Sequence, residues 1–209
     1  MQIVGGIYRN RNGVEVEYVS VPLPTHEVTQ AVPLAARVVG NRVSRKERPF
    51  YSGTDGTELT MLGGGVVRVR PDGSEMEVYT HGLRNIYDVA IDPLMNMFTR
   101  GNTNDGGGWN IRFIHHIQSG QYGYPMLFKH FTDEIIPALQ DLGGGSGTGA
   151  LFLQEPTWPE KFNNVPMMCD WGRSQLIIHR VTPDGASFTQ KPENFIRLAQ
   201  IADVDVDGS

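Results

Sequence analysis

One hairpin pattern recurs along this chain and restricts it to short strands joined by tight turns. Pro-Asp-Gly separates two alternating apolar runs at residues 71–73 and again at residues 183–185, and Asn12-Gly13 separates another pair of runs. Gly after Asn or Asp allows the positive φ angles that a two-residue hairpin turn needs. No long stretch has the three-and-four spacing of apolar residues that is typical of a helix. The sequence therefore predicts an all-β domain.

The pattern also predicts repeated units. Each Pro-Asp-Gly turn is followed by an apolar alternation between aspartates, at residues 87–92 and 201–207, and we expect both to be strands in equivalent positions of different blades. A propeller blade takes ~40 to 50 residues, so 209 residues fit about four blades of a β-propeller. We expect residues 1–209 to form a single incomplete propeller domain. Within it, residues 20–61 carry four prolines and no periodicity, which predicts an irregular inserted loop.

Residues 82–125 hold the most specific signals for function. Gly82-Leu-Arg-Asn opens the stretch, and the glycine-rich segment 100–108 separates two predicted strands, residues 96–99 and 109–117. Gly120-Gln-Tyr-Gly-Tyr-Pro closes it. Backbone and side-chain oxygens of Asn102, Asn104 and Asp105 suit calcium, although a polar turn without an ion explains them equally well.

These phrases together resemble the soluble quinoprotein sugar dehydrogenases, the glucose and sorbosone dehydrogenase family. Two later phrases, Gly143-Gly-Gly-Ser-Gly-Thr-Gly and Met168-Cys-Asp-Trp-Gly, resemble a subgroup in which the propeller is fused to other domains, often a c-type cytochrome. The resemblance covers roughly residues 63–209. It implies a six-bladed propeller, of which this chain is expected to be a fragment.

The resemblance also implies cofactors and a reaction. Family members carry pyrroloquinoline quinone (PQQ) and calcium, and they oxidise a sugar or a related alcohol with hydride transfer to the quinone. It places Arg84, Asn85 and Asn102 at the quinone, and Thr103, Asn104 and Asp105 at calcium. The family's catalytic histidine follows a Gly-Pro-Asp-Gly phrase that this sequence lacks, so no catalytic residue is assigned. A periplasmic or secreted location and a fused or partner cytochrome c are implied in the same way.

Two other functions remain open from the sequence. Arg84 and Asn85 could instead close a turn between blades in a non-catalytic propeller that binds or presents another domain. A hydrolase of the calcium-dependent lactonase type is the second alternative.

Composition excludes some classes of protein. A net charge of -5 and a pI near 5.6 argue against a general nucleic-acid-binding surface. Cys169 is the only cysteine, so no internal disulfide can form, and its apolar neighbours predict an inert core thiol. His115 and His116 are adjacent, so in a strand they face opposite ways and are expected to be structural. The N-terminus does not read as a signal peptide, and no stretch is apolar enough for a membrane span.

Overall fold

The computed structural model describes most of the chain as short β-strands. It covers residues 4–9, 15–21, 36–39, 51–61, 64–102, 110–124, 127, 131–197 and 200–207. Two single-turn 3-10 helices, Thr132–Glu134 and Glu160–Phe162, are the helical elements within these ranges. No helix in the described part is long and apolar enough to cross a membrane. The sixteen strands are β1 Val4–Arg9, β2 Glu15–Val21, β3 Ala36–Val39, β4 Tyr51–Ser52, β5 Glu58–Leu59, β6 Gly64–Arg68, β7 Glu77–Leu83, β8 Ala90–Ile91, β9 Met97–Arg100, β10 Ile111–His116, β11 Gly120–Gln121, β12 Gln140–Gly143, β13 Gly147–Leu153, β14 Val165–Asp170, β15 Gln175–Asp184 and β16 Ser187–Arg197.

The strands belong to two compact units, and each unit is discontinuous in sequence. Unit 1 comprises residues 1–87 and 117–136, and unit 2 comprises residues 88–116 and 137–209. In unit 1 a six-stranded sheet has the order β1-β2-β3-β6-β7-β11, and β4 pairs with β5 in a separate ladder. Two neighbouring pairs of the larger sheet, β2–β3 and β7–β11, are parallel. The first hairpin is confirmed by the antiparallel register of β1 and β2.

Unit 2 contains the two sheets that match the predicted blade pattern. One has the order β12-β10-β9-β8 and the other β13-β14-β15-β16, and every neighbouring pair in both is antiparallel. The second Pro-Asp-Gly phrase does mark a hairpin, between β15 and β16, with Gly185 at φ 59°. The turn itself is Gly185-Ala186, because Pro183 and Asp184 still pair within β15.

Alternation along β14 divides its side chains between two apolar clusters. Met168 packs with Phe98 and Phe113 of the first sheet, whereas Met167 and Cys169 pack in a second cluster. Side chains alternate between the two faces of a strand, so β14 is buried on both sides. The second cluster is completed by residues of the final segment, Ile201, Val204 and Val206.

The two predicted aspartate-flanked strands are much shorter than expected. Within residues 87–92 only Ala90–Ile91 is a strand, and residues 201–207 contain none. The reason lies in the aspartates, because the carboxylate of Asp88 accepts the amide of Val89 at 2.8 Å, and Asp203 and Asp205 accept the amides of the valines that follow them. Side-chain acceptors thus take N–H groups that a strand partner would otherwise use. Neither segment is helical, and the leading aspartates Asp88 and Asp203 bond in the same way, as an internal repeat predicts.

The segment 20–61, which was predicted to be an irregular loop, is partly ordered into strands. β3 pairs with both β2 and β6, and β4 pairs with β5. β3 is part of the six-stranded sheet despite the prolines on either side, because its four residues contain none and can complete both ladders.

Candidate ligand-binding site

The Gly-Leu-Arg-Asn motif lies where β7 ends. Gly82 and Leu83 are the last residues of the strand and are buried, Arg84 is half-buried, and Asn85 is exposed. Asn85 has φ 41°, a left-handed conformation that asparagine tolerates better than most residues. The chain therefore turns at Asn85, directly after the arginine.

The second family motif lies beside the first. β11, Gly120–Gln121, runs parallel to β7, with Gly120 opposite Thr80 and Gln121 opposite His81. Backbone bonds continue past the strand, from the Tyr122 amide to the His81 carbonyl at 3.0 Å and from the Tyr124 amide to the Gly82 carbonyl at 2.8 Å. We call residues 80–85 and 119–124 the β7–β11 pair. Two motifs separated along the sequence are thus adjacent in unit 1.

Gly82 is required for this close approach. It has φ 78°, and a Cβ there would overlap the Gln121 amide and lie 2.7 Å from the Gly123 nitrogen. Only glycine provides both the backbone angle and the space.

Gln121 fixes the protonation of its neighbour His81. The Gly123 amide donates to Oε1 of Gln121 at 2.7 Å, so the Nε2 group of Gln121 is the donor toward Nδ1 of His81 at 3.2 Å. Nδ1 is therefore unprotonated, and burial lowers the pKa of His81 below its ordinary value. His81 is thus a neutral strand residue next to the arginine motif.

Tyr122 anchors the β7–β11 pair through a buried side chain. The side chain is fully buried, and its hydroxyl accepts the amide of Ile117 at 3.0 Å. Burial is the main cause that raises the pKa of Tyr122 to about 12. A neutral phenol at this position acts in packing and hydrogen bonding rather than in proton transfer near pH 7.

Asn102, the third predicted quinone residue, lies in unit 2 just beyond β9. It is buried and forms an isolated bridge with Ser146. Thr103, Asn104 and Asp105, the predicted calcium residues, lie outside the described residues. Within the part that is described, no group of three or more His, Cys, Asp or Glu side chains could hold a metal ion.

A buried polar cluster that the sequence analysis did not predict lies next to Asn102. It consists of Arg100, Asp170, His179 and Gln190, which we call the Asp170 cluster. Nη2 of Arg100 lies 2.5 Å from Oδ2 of Asp170, and their side chains are 2% and 0% exposed. Oδ1 of Asp170 accepts the amides of Ser146 at 2.9 Å and Arg173 at 3.0 Å. The cluster joins β9, β14, β15 and β16 within unit 2.

His179 is held as a neutral ring within the cluster. Its Nδ1 lies 2.8 Å from Oε1 of Gln190 and must donate to that oxygen, which leaves Nε2 to accept from Arg100 at 3.4 Å. The ring also stacks on Phe113 with centroids 3.9 Å apart. Burial, followed by the nearby Arg100 charge, lowers the pKa of His179 to about 3.

Asp88 is a second buried carboxyl of unit 2, with different neighbours. Besides the Val89 amide, it accepts the Ala150 amide at 3.1 Å, and its side chain is almost completely buried. Burial raises the pKa of Asp88 to about 7, with the two amides opposing the shift and the charges of Asp203 and Asp205 adding to it.

The residues that the sequence analysis expected to be inert are buried as expected. Cys169 is fully buried in an apolar cluster, and burial raises the pKa of its thiol to about 12. His116 is fully buried with a pKa lowered to about 3 by burial, whereas His115 is half-buried and contacts Ser187 at 3.0 Å.

No protein-family model and no curated protein sequence matches the chain, but solved structures do. A putative oxidoreductase (glucose dehydrogenase) from Thermus thermophilus matches with a TM-score of 0.61 and 15% identity, over 99% of this chain and 70% of that one. The PQQ-bound aldose sugar dehydrogenase of Streptomyces coelicolor matches with a TM-score of 0.52 and 17% identity, over 68% of this chain. The fold is that of the sugar dehydrogenase propellers.

This likeness concerns the fold, and it is partial in length. The chain spans 42% of the Streptomyces sugar dehydrogenase. The all-β propeller prediction and the resemblance to quinoprotein sugar dehydrogenases are thereby confirmed at the level of architecture. Arg84, Asn85 and Asn102 remain predictions for ligand contact.

No motif predicts that the residues of the Asp170 cluster come together. Asp170 lies in the Met168-Cys-Asp-Trp-Gly phrase, but Arg100 is 70 residues away in sequence and nothing in either stretch links the two. The one available signal was a charged residue at the end of a strand whose other residues are apolar, as at Asp170.

Proposed function

We propose that this chain is part of a PQQ-dependent sugar dehydrogenase-like propeller, whose whole protein oxidises an aldose or a related alcohol. The observation that carries the proposal is the β7–β11 pair. It joins the two motifs on which the family resemblance rests, in a fold shared with a PQQ-bound sugar dehydrogenase. A periplasmic or secreted location and electron transfer to a fused or partner cytochrome c belong to the same proposal.

The donor groups of the β7–β11 pair suit an anionic cofactor. PQQ carries three carboxylates, and a guanidinium can meet a carboxylate with two parallel hydrogen bonds. Arg84 offers such a group at a strand end, and the exposed amide of Asn85 follows it on a turn. When bound, PQQ supplies the hydride acceptor for the oxidation.

The residues of this chain would bind and orient the cofactor. Arg84 and Asn85 would hold its carboxylates, with Asn102 as a further polar contact. Thr103, Asn104 and Asp105 would supply oxygen ligands to calcium, which accepts carbonyl and carboxylate oxygens alike. The proposal assigns none of the described residues as the general base.

Replacing Arg84 by lysine tests the quinone contact. The substitution keeps the charge but removes the planar fork, so PQQ affinity should fall by about 1.5 to 3 kcal/mol, or roughly tenfold to a hundredfold. Binding is measured by titrating PQQ in millimolar calcium and following the quenching of tryptophan fluorescence.

Arg70→Lys is the matched control, because Arg70 lies in the same unit and pairs with Glu75 on an exposed surface. If Arg84→Lys and Arg70→Lys bind PQQ as wild type does, Arg84 only closes a turn. The non-catalytic alternative would then be the better description of this propeller.

Calcium dependence is tested separately through stability. A cation that binds only the folded state stabilises it by RT ln(1 + [L]/Kd), about 2.7 kcal/mol at a hundredfold excess over Kd. The melting temperature should therefore rise between chelator and millimolar calcium. Magnesium at the same concentration is the control for ionic strength, and an identical melting temperature in all three buffers would exclude calcium binding by this chain.

A further inference from the structure

The Asp170 cluster organises the backbone of unit 2 around Asn102. Oδ2 of Asp170 faces Arg100, and Oδ1 receives the amides of Ser146 and Arg173. Ser146 in turn bridges Asn102, and its carbonyl accepts the amide of Trp171 at 2.8 Å. One carboxylate thus connects the segments that carry Arg100, Ser146 and Arg173.

Side-chain packing leaves this carboxylate little freedom. Asp170 ends β14 with no exposed surface, and a Cβ at Gly145 would lie 2.5 Å from its Oδ2. Nη1 of Arg100 reaches His179, whose own position is set by Gln190 and by the stacked ring of Phe113. The positions of the two carboxylate oxygens of Asp170 are therefore set by contacts within unit 2 alone.

Two residues that follow Asp170 in sequence are exposed. Trp171 is 44% exposed and the Arg173 side chain 37% exposed, and both follow Asp170 directly in the turn that leaves β14. Arg173 also donates to the carbonyl of Leu142. An exposed indole and a guanidinium on a hydrogen-bonded turn form a surface on which a planar or sugar-like ligand can rest.

We propose that Asp170 is a positioning residue for ligand binding. Its Oδ1 holds the amide of Ser146, and Ser146 in turn sets the placement of Asn102. Asp170 and Ser146 also set the placement of the turn that carries Trp171 and Arg173. This inference rests on the proposed function, because Asn102 is a predicted quinone contact. Asp170 itself has no surface with which to touch a ligand. Its effect on binding passes through the backbone that it fixes.

Two double variants separate positioning from stability. Arg100→Met/Asp170→Asn and Arg100→Met/Asp170→Leu both remove the buried ion pair, so neither leaves an isolated buried charge. The side chains of Asn and Leu have similar shapes, but only Asn keeps an acceptor oxygen for the amides of Ser146 and Arg173. The two variants therefore differ mainly in the contact that the proposal concerns.

Hydrogen exchange is the first measurement. The amides of Ser146 and Arg173 should exchange at least tenfold faster in the Leu variant than in the Asn variant, whereas amides shared between β15 and β16 should exchange alike. Equal protection of Ser146 and Arg173 in the two variants would overturn the proposal. A uniform rise in exchange across unit 2 would also overturn it, since that result describes a purely structural role.

PQQ titration in millimolar calcium is the second measurement. We expect the Leu variant to bind about tenfold more weakly than the Asn variant, and the Asn variant to bind within about threefold of wild type. Equal affinity of the two variants overturns the positioning role even if exchange differs. If wild type itself binds no PQQ, the proposed function fails, and the exchange experiment then decides by itself whether Asp170 sets this backbone.

The matched control uses an exposed ion pair of the same sheet. Arg180 and Glu193 pair at 2.7 Å with both side chains more than one third exposed. Arg180→Met/Glu193→Leu and Arg180→Met/Glu193→Asn should bind PQQ alike and leave the exchange of Ser146 unchanged. A change at Ser146 in these controls would show that the assay reports general loosening and would count against the proposal.

Discussion

The β7–β11 pair and the Asp170 cluster place polar residues in different ways. In the β7–β11 pair, backbone groups make most of the connections, between β7 and the segment that contains β11. In the Asp170 cluster, side chains make the connections, and the central ion pair is almost entirely removed from water. The first region depends on a conformation that glycine allows, and the second depends on charge compensation.

This difference determines how each region should respond to substitution. Backbone pairing tolerates most side-chain changes but not a Cβ in the wrong place. A buried ion pair tolerates removal of both partners better than removal of one, because a single charge left in the core is costly.

Removing one partner of the buried ion pair should have the largest effect. Asp170→Ala leaves the Arg100 guanidinium without its counterion, and it takes an acceptor from the Ser146 and Arg173 amides. The free energy of unfolding should fall by about 3 to 5 kcal/mol, as measured by urea denaturation.

The double variant Arg100→Met/Asp170→Leu provides the internal test. It should recover the part of the loss that comes from the unpaired charge, although Leu still leaves the Ser146 and Arg173 amides without this acceptor. If it is as unstable as Asp170→Ala, charge compensation is not what distinguishes this region.

Gly82→Ala should be the most damaging small substitution in the β7–β11 pair. It combines a left-handed backbone with overlap against Gln121, and we expect a loss of about 2 to 3 kcal/mol in urea denaturation. Gly56→Ala is the control, since Gly56 has a similar φ of 82° but no atom within 4 Å of its would-be Cβ. Gly56→Ala should cost only about 1 kcal/mol, and equal losses would mean that the contact with Gln121 contributes nothing.

Mild acid should destabilise unit 2 through its buried histidines. His116 and His179 both have a pKa lowered to about 3 in the folded chain, against 6.5 when exposed. Their contribution is fully present above pH 6.5 and is lost as the pH falls from 6.5 toward 3, with a slope of up to about 1.4 kcal/mol per pH unit for each.

His179→Gln isolates one of these contributions. The free energy of unfolding of this variant should change less steeply than that of wild type between pH 6.5 and pH 5. His115→Gln is the control, because His115 is only half-buried and should carry less of the slope. Identical slopes for wild type and His179→Gln would contradict the prediction.

Asp88 acts in the opposite direction, because its pKa is raised in the folded chain. Its contribution favours the folded state below pH 3.8 and is lost as the pH rises through 7.

The sequence predicted the parts of the fold that depend on local chemistry. The Pro-Asp-Gly turns predicted the hairpins of β6–β7 and β15–β16, because glycine and aspartate act within a few residues of themselves. The strand at residues 87–92 was predicted too long, because the pattern does not show that the Asp88 carboxylate takes amides from Val89 and Ala150. An alternating pattern of apolar residues predicts which face of a strand is buried. It does not predict which oxygen accepts the hydrogen bond from each backbone amide.

For the candidate site, the motifs located Arg84 and Asn85 but not their surroundings. The pairing with β11 follows from tertiary structure, as does the hydrogen bond that sets the tautomer of His81. The Asp170 cluster combines residues from four strands, and no local pattern relates Arg100 to Asp170 or His179. Long-range ion pairs of this kind become visible only when the strands are assembled.

The parallel pairing of β11 with β7 also has a consequence for the order of folding. Gly120–Gln121 joins Thr80–His81 across an intervening segment, residues 88–116, that belongs to unit 2. The edge of the unit 1 sheet therefore cannot be completed until the chain has passed through the whole of that segment and returned. Closing such a loop costs entropy before its contacts form, which slows folding in proteins dominated by non-local strand pairs. The two motifs of the candidate site should accordingly meet late, after the local hairpins on either side have formed.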